Sequence, residues 1–164
     1  MVDCKEEKNF RGRDLRSYDF SYQDMTGANM SLCNIDDAKL IGCILTNANM
    51  EGASFCDSVL DYANLESADL YMCFLLNTSL RHTNLSNALM LGTNLQDANL
   101  YGANLTKANL GLSNIGSRTK LQGANLSETI LLDTNFTGAE FDNKTIFPSD
   151  FNPVTNGMIL IGQL

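Results

Sequence analysis

The chain has 164 residues, 44% of them hydrophobic, with 19 acidic and 11 basic side chains for a formal net charge of −8. That apolar content fills one domain's core, which excludes general disorder, and no stretch approaches the roughly 18 apolar residues of a membrane-spanning helix. Five cysteines without CxxC spacing and a single histidine, His82, exclude a disulfide framework and a zinc site and leave reduced thiols as the expectation.

Residues 1–7 carry charges where a secretory leader needs an apolar run, which points to a soluble cytoplasmic protein. Asp3 and Glu6 stand at capping-box spacing, so this segment reads as an N-terminal cap, a short helix.

From residue 8 to 143 the chain keeps a period of five, as in "DANLYGANLTKANL" at 97–110. Helix faces recur at 3.6 residues and strand faces at 2, so neither sets this beat. A large apolar residue, the centre of each pentad, falls at every fifth position from Phe10 to Ile115, with Leu65, Leu70, Leu75, Leu80 and Leu85 the strictest stretch. Two places earlier the side chain is small, as at Ala48, Ala63 and Ala98, with Cys33, Cys43, Cys73, Thr78 and Ser113 as variants, so this position also points inward. Two places after the centre, more than half of the pentads have Gly, Asn or Asp, residues that tolerate the positive φ of a tight turn. A chain that turns every five residues buries all its centres only by winding about an axis. Four sides, one pentad each, close a coil, and coils stack at about 4.8 Å. Asn64, Asn84 and Asn104, one coil apart in this scheme, are expected to form a stacked amide ladder.

These pentads resemble the A(D/N)Lxx signature of the pentapeptide repeat family over residues 8–143. The resemblance implies an all-β solenoid, a right-handed quadrilateral β-helix of about seven coils. The ending "TIFPSDFNPVTNGM" is similar to tails of cyanobacterial members.

The first coil has Lys8, Arg13, Tyr18 and Gln23 at the small position, which marks it as open and atypical. After Ile115 the next centre, Leu121, comes one residue late, and the beat resumes at Leu126, Leu131, Phe136 and Phe141. "GSRTK" at 116–120 therefore reads as a one-residue insertion. Residues 144–164 read as a capping tail. Pro148 and Pro153 stop the winding, Asn152 caps a short turn, and Met158, Ile159, Leu160 and Ile161 lie over the last coil.

Charge is uneven. Residues 14–70 hold ten acids and two bases, whereas residues 71–127 hold one acid and four bases. The family resemblance brings in topoisomerase protection by rods that imitate DNA, but imitation needs negative charge along the whole length, about one per 1.7 Å of axis. Here the middle of the rod is basic. Asp37, Asp57, Asn77 and Asp97 share one column, where turn chemistry explains the residue types and too few oxygens gather for a calcium site. Asp61, Arg81 and Tyr101 share another, beside Tyr62 and His82, with Arg81 placed to pair with Asp61 and lie against Tyr101. His82 has no nucleophile or orienting partner, so catalysis, a cofactor and a metal are not expected. The sequons "NTS", "NLS", "NLT" and "NFT" follow from the repeat's own residue preferences.

The sharpest irregularity is apolar. Tyr71, Met72, Phe74, Leu76, Leu89 and Leu91 occupy outward positions, and with a one-residue insertion Leu112, Ile130 and Leu132 continue the same side. A contiguous apolar group on one wall marks an interface. The reading is a non-enzymatic scaffold that contacts a protein partner or a second copy through this stripe. The other possibilities are a C-terminal tail folded over the stripe and an acidic DNA mimic acting on a topoisomerase. Direct nucleic-acid or membrane binding is not expected.

Overall fold

The computed structural model describes residues 8–162. Its architecture follows from one repeated corner. The residue two places after each centre has positive φ at every fifth position from Gly12 to Lys107, including Tyr22, Leu32, Met72 and His82. Geometry is thus stricter than composition: the corner is imposed even on residues that do not favour it. Nearly every corner is closed by an amide donating to the centre carbonyl three residues back, as Arg13 does to Phe10 at 2.9 Å; at Ala38 the amide donates to Ser58 Oγ (3.1 Å), which in turn donates to Ile35 O.

Between corners the chain is extended and pairs in parallel with the coils on either side. Four ladders result, each with one residue per coil. The first wall carries Asn9, Asn29, Asn49, Asp69, Leu89 and Asn109; the second Asp14, Asn34, Ser54, Phe74 and Asn94. The third carries Asp19, Lys39, Val59, Ser79 and Asn99, and the fourth Asp24, Ile44, Asn64, Asn84 and Asn104. The chain is a β-solenoid, and among the described residues there is no helix.

The centres form the core. Met25, Leu65 and Leu85 are fully buried, as are the small side chains at Ala53, Ala68 and Ala103. At most polar small positions the side chain finds a carbonyl one coil below, while Thr129 Oγ1 donates to Leu126 O within its own coil. Cys73 Sγ donates to Met50 O at 2.8 Å, Thr78 Oγ1 to Phe55 O at 2.8 Å and Ser58 Oγ to Ile35 O at 2.7 Å. This is why Cys, Thr and Ser replace Ala without leaving an unsatisfied group. On the outside, the Asn84 amide donates to Asn64 Oδ1 at 3.0 Å, and Asn104 donates to Asn84 at 3.5 Å. The amide ladder of the fourth wall is formed.

The insertion differs from the sequence reading. Ile115 is 70% exposed and is not a centre. Asn94 pairs with Lys120, Asn99 with Asn125 and Asn104 with Ile130, so partners here stand five pentads and one residue apart in place of four pentads. Six residues, one whole pentad and the odd residue, have left the lattice as a loop. It is tied by Ser113 N to Ser117 O (2.9 Å), Gly116 N to Ser113 O (3.0 Å) and Ser117 N to Ser113 Oγ (2.8 Å). A slip of one and a slip of six look alike in a five-residue pattern, and only pairing tells them apart.

A second slip follows. Asn125 pairs with Ile146, four pentads and one residue further on, and the extra residue is turned by Asp142, whose Oδ1 accepts from Gly123, Lys144 and Thr145 amides at 3.0 Å each. Strand β1 (Glu140–Phe141) then pairs in parallel with β2 (Ile159–Leu160), so the tail adds a strand as well as lying over the end. Asn152 Oδ1 accepts from Val154 and Thr155 amides at 3.0 and 3.2 Å. Phe147 and Phe151 stack at 5.3 Å and meet Phe141 and Phe136 edge-on, covering the last centres.

At the other end the long side chains of the first coil do the covering. Arg13 lies over the Phe10 ring at 5.6 Å, Tyr18 stacks on Phe20 at 5.8 Å, and Lys8 Nζ reaches Asp24 at 3.3 Å. The cap expected over residues 1–7, with Cys4, lies outside the described residues.

Candidate interaction surface

The nine apolar residues do not form one stripe. Leu89 belongs to the first wall's ladder, and Tyr71 and Leu91 stand on the same wall. Met72 turns the corner between the first and second walls, and Phe74, in the second ladder, is followed by Leu76. Leu112 is in the loop. Ile130 pairs with Asn104 on the fourth wall, and Leu132 is beside it. A one-residue insertion would have stacked Ile130 above Asn109; the six-residue loop gives that place to Asn135 and carries Ile130 one wall away.

Six of the residues therefore form a band round one corner. Its first-wall part is partly covered, by the loop and not by the tail: Tyr71 Oη donates to Asn114 Oδ1 at 3.1 Å, and Tyr71, Leu89 and Leu91 are half-buried. Its second-wall part is open, with Phe74 51% exposed. A shallow cleft beside it is floored by Met72, Phe74 and Gly92 and rimmed by Arg118 and Lys120. Arg118 is held by Glu140 at 3.7 Å and Gly138 O at 3.2 Å. Another cleft, between Leu131, Leu132, Pro148 and Phe151, adjoins Ile130 at the C-terminal end.

The polar columns are structural. Asn77 Nδ2 donates to Asp57 Oδ1 at 3.2 Å, and Asp37, Asp57, Asn77 and Asp97 all hold corner φ values of 56 to 59°. Arg81 lies over Tyr101, 5.7 Å from its centroid, but its guanidinium makes no ion pair with Asp61. The Asp61 carboxylate is taken by the Arg81 amide (3.1 Å) and the Ser79 hydroxyl. His82 stacks on Tyr62 at 5.2 Å and meets Tyr101 edge-on at 5.4 Å. Cys33, Cys43 and Cys73 are buried, and burial pushes the Cys73 thiol well above its ordinary range. Cys56 is half-exposed.

One signal was present in the sequence and missed. Four bulky corner residues lean toward a glycine at the corner above, Tyr22 under Gly42, Leu32 under Gly52, Met72 under Gly92 and His82 under Gly102, whereas Tyr62 stacks under His82. A Cβ at Gly102 would stand 2.5 Å from His82 Nδ1, so the glycine makes room as well as turning the chain.

The sequence matches the profile of the pentapeptide repeats, in eight copies, over residues 14–52, 33–71, 73–111 and 117–143. Among solved structures it is similar to HetL, a pentapeptide repeat protein involved in heterocyst differentiation regulation from the cyanobacterium Nostoc sp. strain PCC 7120, with 24% identity and a TM-score of 0.58 over 85% of this chain. This chain spans 65% of that one's length. It is also similar to a trypsin-treated variant of QnrB1, a plasmid-mediated fluoroquinolone resistance protein, with 17% identity and a TM-score of 0.65 over 94% of this chain and 87% of that one. These likenesses carry the fold. Comparison with curated proteins gives no match. Among the described residues no helix is long and apolar enough to cross a membrane.

Proposed function

The chain belongs to the pentapeptide repeat family, and on that premise we propose that it is a non-enzymatic scaffold of the cytoplasm, a right-handed quadrilateral helix of about seven coils that acts by protein–protein contact. The contact surface is the band of Tyr71, Met72, Phe74, Leu76, Leu89 and Leu91, continued on the loop by Leu112; Ile130 and Leu132 form a smaller, separate contact. The observation that carries this reading is Phe74, 51% exposed at a ladder position that holds Asn34, Ser54 and Asn94 in neighbouring coils. Covering such a surface contributes roughly 25 cal/mol for each Å² removed from water, before the cost of association. Affinity capture from the source cell with wild type and with Phe74→Lys plus Leu76→Glu as baits tests it. A partner retained at high salt and lost from the double variant is the expected result, and a partner held equally by both baits would overturn the surface.

A second reading, mimicry of DNA toward a topoisomerase, draws on the ten acids of residues 14–70 and the fold shared with QnrB1. The basic stretch 71–127 works against it along half of the rod. Supercoiling assays at stoichiometric protein are expected to show no effect, and inhibition that disappears when Asp37, Asp57 and Asp97 become Asn would put this reading first.

A further inference from the structure

Four of the five tyrosines and the single histidine gather on the third wall and its corners: Tyr18, Tyr22, Tyr62, Tyr101 and His82. Tyr22 is 79% exposed and Tyr62 64%. The lattice is unbroken here, because the six-residue loop leaves from the opposite side, at the corner of the first and second walls.

The order of the outward column is informative. Coil by coil it reads Ser21, Ile41, Asp61, Arg81, Tyr101, Ser127, and backbone bonds hold the levels in register, as Gly42 N to Asp61 O (2.9 Å) and Tyr62 N to Arg81 O (2.9 Å) show. Read from either end, small polar faces small polar, apolar faces aromatic, and acid faces base. Two adjacent opposite charges stand at its centre, yet they form no ion pair with each other, since Asp61 accepts from an amide and a hydroxyl while Arg81 rests on Tyr101.

We propose that this wall is where two copies of the chain pair, antiparallel, about a two-fold axis passing between the levels of Asp61 and Arg81. In that arrangement Asp61 faces the partner's Arg81 and Arg81 faces the partner's Asp61. Ile41 meets the partner's Tyr101, and Tyr62 meets the partner's His82. The interface is isologous, as a two-fold dimer requires. A parallel pairing along this column sets Asp61 on Asp61 and Arg81 on Arg81, so charge selects the antiparallel form. Five coil spacings of about 4.8 Å by one side of about 16 Å give a flat footprint of roughly 400 Å² per copy, below the size of stable specific interfaces, so the dimer is weak and reversible. This pairing is independent of the apolar band on the other walls.

Sedimentation velocity from micromolar to millimolar protein is the test. Wild type is expected to show a concentration-dependent dimer. Arg81→Asp or Asp61→Arg alone weakens it at least about tenfold. The double exchange, Asp61→Arg with Arg81→Asp, restores it, and an equimolar mixture of the two single variants forms a mixed dimer more readily than either alone. Phe74→Lys leaves it unchanged. A wild type that stays monomeric to millimolar concentration overturns the proposal, as does a dimer insensitive to both single variants. Loss on Phe74→Lys with retention in Arg81→Asp moves the dimer to the apolar band and equally overturns it.

Discussion

Residues 8–110 and residues 111–162 are built from the same pentad but obey it differently. In the first region ladder partners stand four pentads apart on every wall, so distance along the chain translates directly into position in space. In the second the step is six residues too long at the loop, one too long at Asp142 and one too short at the tail strand, and the same translation fails three times. Most centres are as well buried after the loop as before it, Leu121 and Leu126 matching Leu65 and Leu85, although Leu131 is only half-buried. What differs is the outside. The regular region sets stacked columns, and the irregular one decides which of them are covered, by a loop on the first wall and a phenylalanine cluster at the end. A solenoid tolerates insertion at a corner because each coil touches only its neighbours.

The largest effect tests the regularity itself. Leu65→Asp places an unpaired charge at a fully buried centre and is expected to abolish folding, seen as loss of soluble protein and of the β-type circular dichroism. Full solubility with an unchanged spectrum would contradict the winding. A smaller effect separates the two uses of corner glycine. Gly27 and Gly102 have nearly the same positive φ, but only Gly102 is crowded, so Gly27→Ala is expected to cost about 1 kcal/mol and Gly102→Ala about 1 kcal/mol more as His82 leaves Tyr62. Equal losses in thermal unfolding would show that the stacked ring gives way freely.

Removal of residues 112–117 returns the loop region to four pentads per coil. The expected outcome is a native spectrum, a melting temperature within a few degrees of wild type, and increased binding of a hydrophobic dye at the uncovered Tyr71 and Leu91. Failure to fold would show that the loop is part of the winding. The smallest effect is acid sensitivity. In the first coil, hydrogen bonds from the Thr26 side chain and amide and from Lys8 lower the pKa of Asp24 to about 2. In the tail, partial burial opposes ionisation of Asp142, but hydrogen bonds from Gly123, Thr145 and Lys144 outweigh it and its pKa is also lowered. Both carboxylates are lower in the folded state, so their stabilisation is complete above about pH 4 and fades as pH falls toward the folded values. Thermal unfolding is expected to be flat from neutral pH to about 4 and to fall below it, less steeply in Asp142→Asn.

The nine candidate residues show where reading along the chain stops working. Tyr71, Met72, Phe74, Leu76, Leu89 and Leu91 lie before the loop, and their clustering was legible because spacing equals position there. Ile130 and Leu132 lie after it, and the same reasoning put them one wall away from their place. The Asp61–Arg81 ion pair failed for a different reason: stacking was foreseen, but the backbone amide of Arg81 competes for the carboxylate at shorter reach.

Sequence by itself determined the pentad, its inward centres, the small positions and the corner every five residues, because each is a local choice of side-chain size or φ that repeats and can be read in one pass. Tertiary pairing alone decided how many residues leave the lattice at the loop, since hydrogen bonds between coils see the whole length of chain between partners while the pattern sees only its remainder on division by five. The same pairing decided which outward residues share a wall and that the tail returns as a strand on Glu140–Phe141. Those contacts join residues far apart in the chain, and no local preference encodes them.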